Sequence, residues 1–202
     1  MILTIATGNP GKLKDFRELF SPLNIRILSI QEEHPDFDPE ETGKTFEENA
    51  LLKAREACLL TGLPALADDS GLEVDALGGA PGVLSARYAG TEKSDADNNR
   101  KLLEELGDLS PEKRTARFRS VIALCFPDGR EYTAGGAVEG LILNGPRGTG
   151  GFGYDPLFYV PELEATFGEI SLEEKNRISH RARAFREIRS LLERLLEEKS
   201  AW

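Results

Sequence analysis

A chain of 202 residues can bury a full core, and its 40% hydrophobic and 30% charged residues are those of an ordinary globular protein. A formal net charge of −10 argues against a protein that holds DNA or RNA by its backbone, because that mode needs a basic face. No apolar stretch approaches the roughly 20 residues needed to cross a bilayer, and Met1 to Ile5 lack the basic start of a signal peptide. Cys58 and Cys125 sit in apolar segments without metal-ligand spacing and read as buried free thiols of a reducing compartment, so the expected location is cytoplasmic.

Ile2 to Ala6 reads as a short strand, followed by the turn Thr7-Gly8-Asn9-Pro10-Gly11 and a helix with Leu13, Phe16, Leu19 and Phe20 on one face. Asn9 suits the N-cap and Pro10 the first helical position. Ile25 to Ile30 is a second strand, and Gln31 to Gly43 is acidic and irregular. The capping box Thr45-x-x-Glu48 opens a long helix that ends near Gly62. Ala65-Leu66-Ala67 is a buried strand that stops at Asp68-Asp69-Ser70-Gly71, with Leu72 to Leu77 as a separate strand. Asp95 to Leu106 is helical, and Thr115 to Phe126 and Glu131 to Val138 form a hairpin about Asp128-Gly129. A glycine-rich loop, Asn144 to Tyr154, precedes the strand Leu157 to Val160, and the tail from Ser171 is helical. Helices alternating with strands and a central hairpin predict a mixed α/β sheet in one domain, residues 1–202, without repeat or linker.

Five segments carry possible chemistry. TGNPGK combines glycines, a helix N-terminus and Lys12, the parts of a phosphate site, although it is not a Walker A loop; taken alone, an ordinary turn with a solvated lysine is the better reading. Asp68 and Asp69 follow a buried strand, where α/β sheets bind ligands; a cation such as Mg²⁺ would relieve their repulsion, and an Asp turn is the alternative. If the strand geometry persists, the two carboxylates face opposite sides. Glu40 and Glu41 read as a second metal carboxylate or as solvated charge, and taken alone the solvated reading wins; the same caution covers any functional role for Asn49 and Lys53, which share a helix face. In TGGFGYDP, Phe152 or Tyr154 can stack on a base and Asp155 can accept from a base edge or ribose, or the loop is a connection with core aromatics. Finally, Lys175, Arg177, His180, Arg181, Arg183 and Arg186 form a basic cluster. One straight helix cannot aim Lys175, His180 and Arg181 at a single ligand, so either some are surface charges or the helix breaks at Ser179.

Together and in this order, TGNPGK, ETGKTFEENALLKA, ADDSGLEVDALGGAPGVLSARYAG, GTGGFGYDPLF and EEKNRISHRARA resemble the inosine triphosphate pyrophosphatase family along nearly the whole chain, and within it the bacterial members that act on dITP and XTP. The resemblance implies an elongated, twisted mixed sheet with flanking helices, two lobes around a central cleft, and a homodimer. It also implies Mg²⁺-dependent cleavage of non-standard purine nucleoside triphosphates to the monophosphate and pyrophosphate. By motif, Thr7, Gly8, Asn9, Pro10, Gly11 and Lys12 would contact the triphosphate, Asp69 would be catalytic and a metal contact, and Glu41 a second metal ligand. Ser70 would touch substrate, Phe152, Gly153, Tyr154 and Asp155 would hold the nucleoside, and Lys175, His180 and Arg181 would complete the site. A donor near His180 and Arg181 would read the 6-oxo group of the base. Two other readings stand beside this one, a pyrophosphatase for other modified nucleotides and a non-catalytic nucleotide-binding module; the intact Asp69 and Glu41 argue against the second.

Overall fold

In the computed structural model, which describes residues 1–200, seven strands form one open sheet in the order β2-β1-β3-β4-β5-β6-β7. The strands are β1 (Ile2–Ile5), β2 (Arg26–Ser29), β3 (Ala65–Val74), β4 (Thr115–Cys125), β5 (Glu131–Ile142), β6 (Phe158–Val160) and β7 (Ala165–Thr166). The helices are α1 (Pro10–Phe20), α2 (Ile30–Glu33), α3 (Phe46–Thr61), α4 (Asp95–Leu106), α5 (Leu172–Ile178) and α6 (His180–Ser200). β1 pairs in parallel with β2 (Leu3 opposite Ile27) and with β3 (Ile5 opposite Leu66), whereas β5–β6 and β6–β7 are antiparallel. The sheet is therefore mixed, as the alternation of elements predicts. No helix among the described residues is long and apolar enough to cross a membrane.

Local chemistry sets most of the boundaries. Asn9 caps α1 by accepting from the Gly11 and Lys12 amides, and Thr45 and Glu48 close the predicted capping box on α3. Gly62, at φ 65°, ends α3 in the left-handed conformation that a side chain rarely adopts. In the tail, Ser179 takes an extended conformation that separates α5 from α6, the second of the two readings left open for the basic cluster. Two expectations are corrected. Ile30 belongs to α2 rather than to β2, and α2 occupies part of the stretch expected to be irregular; Glu32 and Glu33 sit in its first turn, where the helix dipole favours acids. More consequentially, the strand does not stop at Asp68-Asp69-Ser70-Gly71, and the alternative of an Asp turn falls with it, since β3 runs unbroken from Ala65 to Val74. Gly71 is there for close approach: a Cβ would strike the Gly82 carbonyl and the Ser85 hydroxyl, and that hydroxyl accepts from the Leu72 amide at 2.9 Å.

By contacts the chain divides into two units. Unit 1 takes Met1–Asp69, Ser120–Gly136 and the chain from Arg181, and unit 2 takes Ser70–Arg119 and Ala137–His180. Unit 1 has one cluster around Leu3, Ile5, Phe16, Leu66, Ile122 and Phe185, and a second built from small side chains. In the second, Ala50, Ala54 and Ala57 of α3 meet Ala65, Ala67 and Ala123, so the helix lies close on the sheet. Cys58 and Cys125 belong to this layer as buried free thiols, as expected. Unit 2 is centred on Phe118, Phe158 and Phe167, with Leu72, Leu102 and Ile142 around them. Its Arg114 is 1% exposed and donates to four carbonyls, those of Ile142, Gly107, Leu109 and Leu143. Phe158, fully buried, and Leu59, 85% exposed, make a contrasting pair. Phe158→Ala is expected to lower the unfolding free energy by about 3–5 kcal/mol in a urea titration. Leu59→Ala should shift it by no more than about 0.5 kcal/mol. Equal effects would contradict the core position of Phe158.

Candidate active site

In β3 successive side chains leave opposite faces, and Asp68 and Asp69 accordingly enter different surroundings within unit 1. Asp68 is 1% exposed and meets two cations: Lys12 Nζ stands 3.2 Å from Oδ1, and Arg181 donates to Oδ2 from Nη2 at 3.0 Å and from Nε at 3.2 Å. The same guanidinium donates through Nη1 to Asp15 of α1, which is also buried. Arg181 therefore ties the start of α6 to both β3 and α1. Burial alone would raise the Asp68 pKa, but the charges of Lys12 and Arg181 overcome it and hold this carboxyl well below the usual range.

Asp69 is turned toward α3. Asn49 Nδ2 donates to its Oδ2 at 3.2 Å and Lys53 Nζ to its Oδ1 at 3.1 Å, while the same ammonium donates to Glu41 Oε1 at 2.6 Å. Asn49 also receives the Gly43 amide at 2.8 Å, so both residues stitch the acidic loop to Asp69. Asn49 and Lys53 are buried rather than solvated, which settles the alternative left open by their sequence. Burial raises the Asp69 pKa and Glu41 adds to it, against the lowering charges of Lys53 and Lys12. Burial lowers Lys53, but Asp69 and Glu41 more than restore it. Two neighbouring carboxylates thus have pKa values pushed in opposite directions, the arrangement that separates a permanent counter-ion from a proton acceptor.

The glycine turn is less of a backbone cradle than its sequence suggests. The Gly11 and Lys12 amides go to the Asn9 side chain, the Asn9 amide goes to Thr7 Oγ1, and Pro10 has none. Its attraction for an anion falls chiefly on the Lys12 ammonium. Burial lowers the pKa of Lys12, and the nearby Lys53 and Arg181 lower it further, against Asp68 and Asp69. In all, three cations (Lys12, Lys53, Arg181) accompany four carboxylates (Asp15, Glu41, Asp68, Asp69). Glu41 and Asp69 share one ammonium, so a hard divalent cation would find two carboxylate oxygens side by side there. Among the described residues no group of three or more His, Cys, Asp or Glu side chains could hold a metal alone. Such a cation would need phosphate or water oxygens to complete its shell.

Unit 2 gathers the remaining candidates. Asp155, 2% exposed, accepts through Oδ2 from Lys175 Nζ at 2.6 Å and from the Phe152 amide at 2.9 Å. The Lys175 ammonium lies 4.6 Å from the centre of the half-buried Phe152 ring. His180 is buried and stacks on Phe118 at 4.9 Å. Tyr154 is 4% exposed and donates to the Ser85 carbonyl at 2.8 Å, so it serves the core and leaves Phe152 as the stacking candidate. Ser70, half-buried, follows Asp69 in β3. The Arg181 fork is directed to Asp15 and Asp68, which makes it an anchor of unit 1. Asp15 escaped the sequence reading. Its one signal is its spacing of three from Lys12, next to Phe16 on the buried side of α1.

Residues 3–191 match the model of the Ham1 family. A relative from Geobacter sulfurreducens named dITP/XTP pyrophosphatase is 58% identical over 183 residues, which cover 90% of this chain and 92% of the relative. One from Bacillus subtilis with the same name is 48% identical, covering 94% of this chain and 96% of the relative. Among solved structures, the Ham1 protein of Staphylococcus aureus matches with a TM-score of 0.84 at 47% identity, over 96% of this chain and 98% of that one. A HAM1 protein from Coxiella burnetii gives 0.85 at 45% identity, over 96% and 99% of the two chains.

Arg181→Met would leave Asp15 and Asp68 buried without their shared cation. At neutral pH the expected loss of stability is about 3–5 kcal/mol by urea unfolding. The Asp68 contribution comes from a depressed folded pKa, so it is fully present above the ordinary carboxyl value of 3.8 and is lost as pH falls through the folded value. The gap between wild type and variant should therefore narrow below that pH. A gap that stays constant in acid would contradict the ion-pair origin.

Proposed function

The chain belongs to the Ham1 family, and from that membership we propose that it hydrolyses non-standard purine nucleoside triphosphates (dITP, ITP, and XTP or dXTP) to the nucleoside monophosphate and pyrophosphate. Such an activity removes damaged purines from the nucleotide pool. The observation that carries the reading is the placement of Asp68 and Asp69 on opposite faces of β3, the first fixed by Lys12 and Arg181, the second held with Glu41 by Lys53. The names of the relatives supply the substrate class.

In this reading a water molecule attacks the α-phosphorus, the bond to the α–β bridging oxygen breaks, and pyrophosphate leaves. Asp69, held by Asn49 and Lys53, orients that water or takes its proton. Lys12, presented by the Thr7 to Lys12 turn and held against Asp68, offsets negative charge on the phosphates. Glu41 and Asp69 would hold Mg²⁺, whose chemistry is to neutralise phosphate charge and align the reacting oxygens; their shared position on Lys53 and their all-oxygen character fit that ion. Lys53 then keeps the two carboxylates together. Ser70 contacts substrate beside Asp69, Phe152 stacks on the base, and Gly153 to Asp155 with His180 complete the nucleoside site. Lys175 acts through Asp155, which it fixes. Assembly as a homodimer in the cytoplasm belongs to the same proposal.

Purified protein with Mg²⁺ should release pyrophosphate from dITP and XTP much faster than from dATP or dGTP. Comparable turnover of dGTP would overturn the purine discrimination. Release from none of these would leave a nucleotide-binding module. Asp69→Asn should lower kcat for dITP by about 10²–10⁴-fold while nucleotide binding, measured by calorimetry, persists. Unchanged turnover would remove Asp69 from its role.

A further inference from the structure

The loop from Phe152 to Asp155 is held at three successive residues by different partners within unit 2. Asp155 accepts from the Phe152 amide at 2.9 Å, and Tyr154 is tied to the Ser85 carbonyl at 2.8 Å. Gly153, between them, is gripped from both sides of its backbone by α4. Its amide donates to Asp95 Oδ2 at 2.7 Å, and its carbonyl accepts from Asn99 Nδ2 at 2.9 Å. Asp95 and Asn99 lie four residues apart in the first turns of α4, hence on one face.

Three features show that the grip is built rather than incidental. α4 is itself fixed: Ser94 caps it by accepting from the Asp97 amide, and buried Asn98 accepts from the Ala89 amide at 2.7 Å and donates to the Ala86 carbonyl at 3.1 Å. Gly153 has φ 61°, and a Cβ there would meet nothing within 4 Å, so glycine serves conformation and not space. Asn99 Oδ1 is buried with no hydrogen-bond partner among the described residues, and turning the amide would set that oxygen against the Gly153 carbonyl. An unsatisfied buried acceptor is tolerated because the donor at the other end of the amide is needed where it stands.

We propose that Asp95 and Asn99 are positioning residues for base recognition: by clamping the Gly153 backbone they set the orientation of the Phe152 ring and so tune preference among purine triphosphates. The inference rests on the reading of Phe152 to Asp155 as the nucleoside-holding loop. Neither side chain takes part in bond breaking. Their loss therefore falls on KM and on the choice of base and leaves the hydrolytic step intact.

Steady-state kinetics of the full chain with dITP and dGTP test this. Asp95→Ala and Asn99→Ala should each raise KM for dITP about 5- to 10-fold, the scale of one hydrogen bond. kcat should stay within about 2-fold, and the preference for dITP over dGTP should fall. Asn99→Asp, equal in size but with an acceptor facing the Gly153 carbonyl, should be at least as severe as Asn99→Ala. Asp95→Asn, which keeps an acceptor, should restore near wild-type KM. If an α4 variant unfolds, Gly153→Ala and Gly153→Asn probe the same backbone: alanine should raise KM, and asparagine, which tolerates the left-handed conformation, should do so less. Wild-type KM and preference in Asp95→Ala and Asn99→Asp would overturn the inference alone, as would a loss confined to kcat. A wild-type protein inactive on dITP would instead overturn the functional reading and this inference with it.

Discussion

Two carboxylates side by side in a buried strand are the constraint on which unit 1 depends. Asp68 and Asp69 are tolerated because β3 stays extended through them and sends them to opposite faces, where each meets its own cations. One face receives Arg181 and, with it, Asp15 and the first turn of α6; the other receives Lys53 and, with it, Glu41. The neutralisation is unequal. Asp68 is overcompensated and permanently charged, whereas Asp69 is left with a raised pKa. Charge balance in the core and chemical readiness at the site are two results of one strand geometry.

Much of this was legible from local signals. Asn9 and Pro10 announce α1, Thr45 and Glu48 announce α3, and Asp128-Gly129 marks the β4–β5 hairpin, because caps and turns are decided within a few residues. Period and face offered the opposite orientation of Asp68 and Asp69, on condition that the strand persists, and the break at Ser179 as one of two readings. The expectation that the strand stops at Asp68 to Gly71 has a clear source. Glycine marks both turns and close approaches, and only the positions of Gly82 and Ser85 tell them apart. Asn49 and Lys53 looked solvated because their partners lie 16 to 20 residues away on β3.

The nucleoside candidates were legible as a motif but not as an arrangement. Phe152 and Tyr154 are both aromatics in one glycine-rich loop, yet Tyr154 is drawn into the core by the Ser85 carbonyl while Phe152 stays half-buried under the Lys175 ammonium. That difference depends on a residue 69 positions away from Tyr154. In the same way Arg181 reads as one of six basic residues in a tail, and only the fold makes it the shared cation of Asp15 and Asp68.

The small-residue layer under α3 has a consequence for chemical durability. The chain holds three sulfur atoms, in Met1, Cys58 and Cys125. Both thiols are shut into the alanine layer, where burial raises the pKa of Cys58 and pushes that of Cys125 up to about 11. Thiolate is the form that oxidants and nitrosating agents attack, and at neutral pH almost none is present. Those same agents turn ordinary bases into damaged ones. Both cysteines are thus withheld from that chemistry by burial, which leaves the half-buried Met1 as the sulfur nearest to solvent.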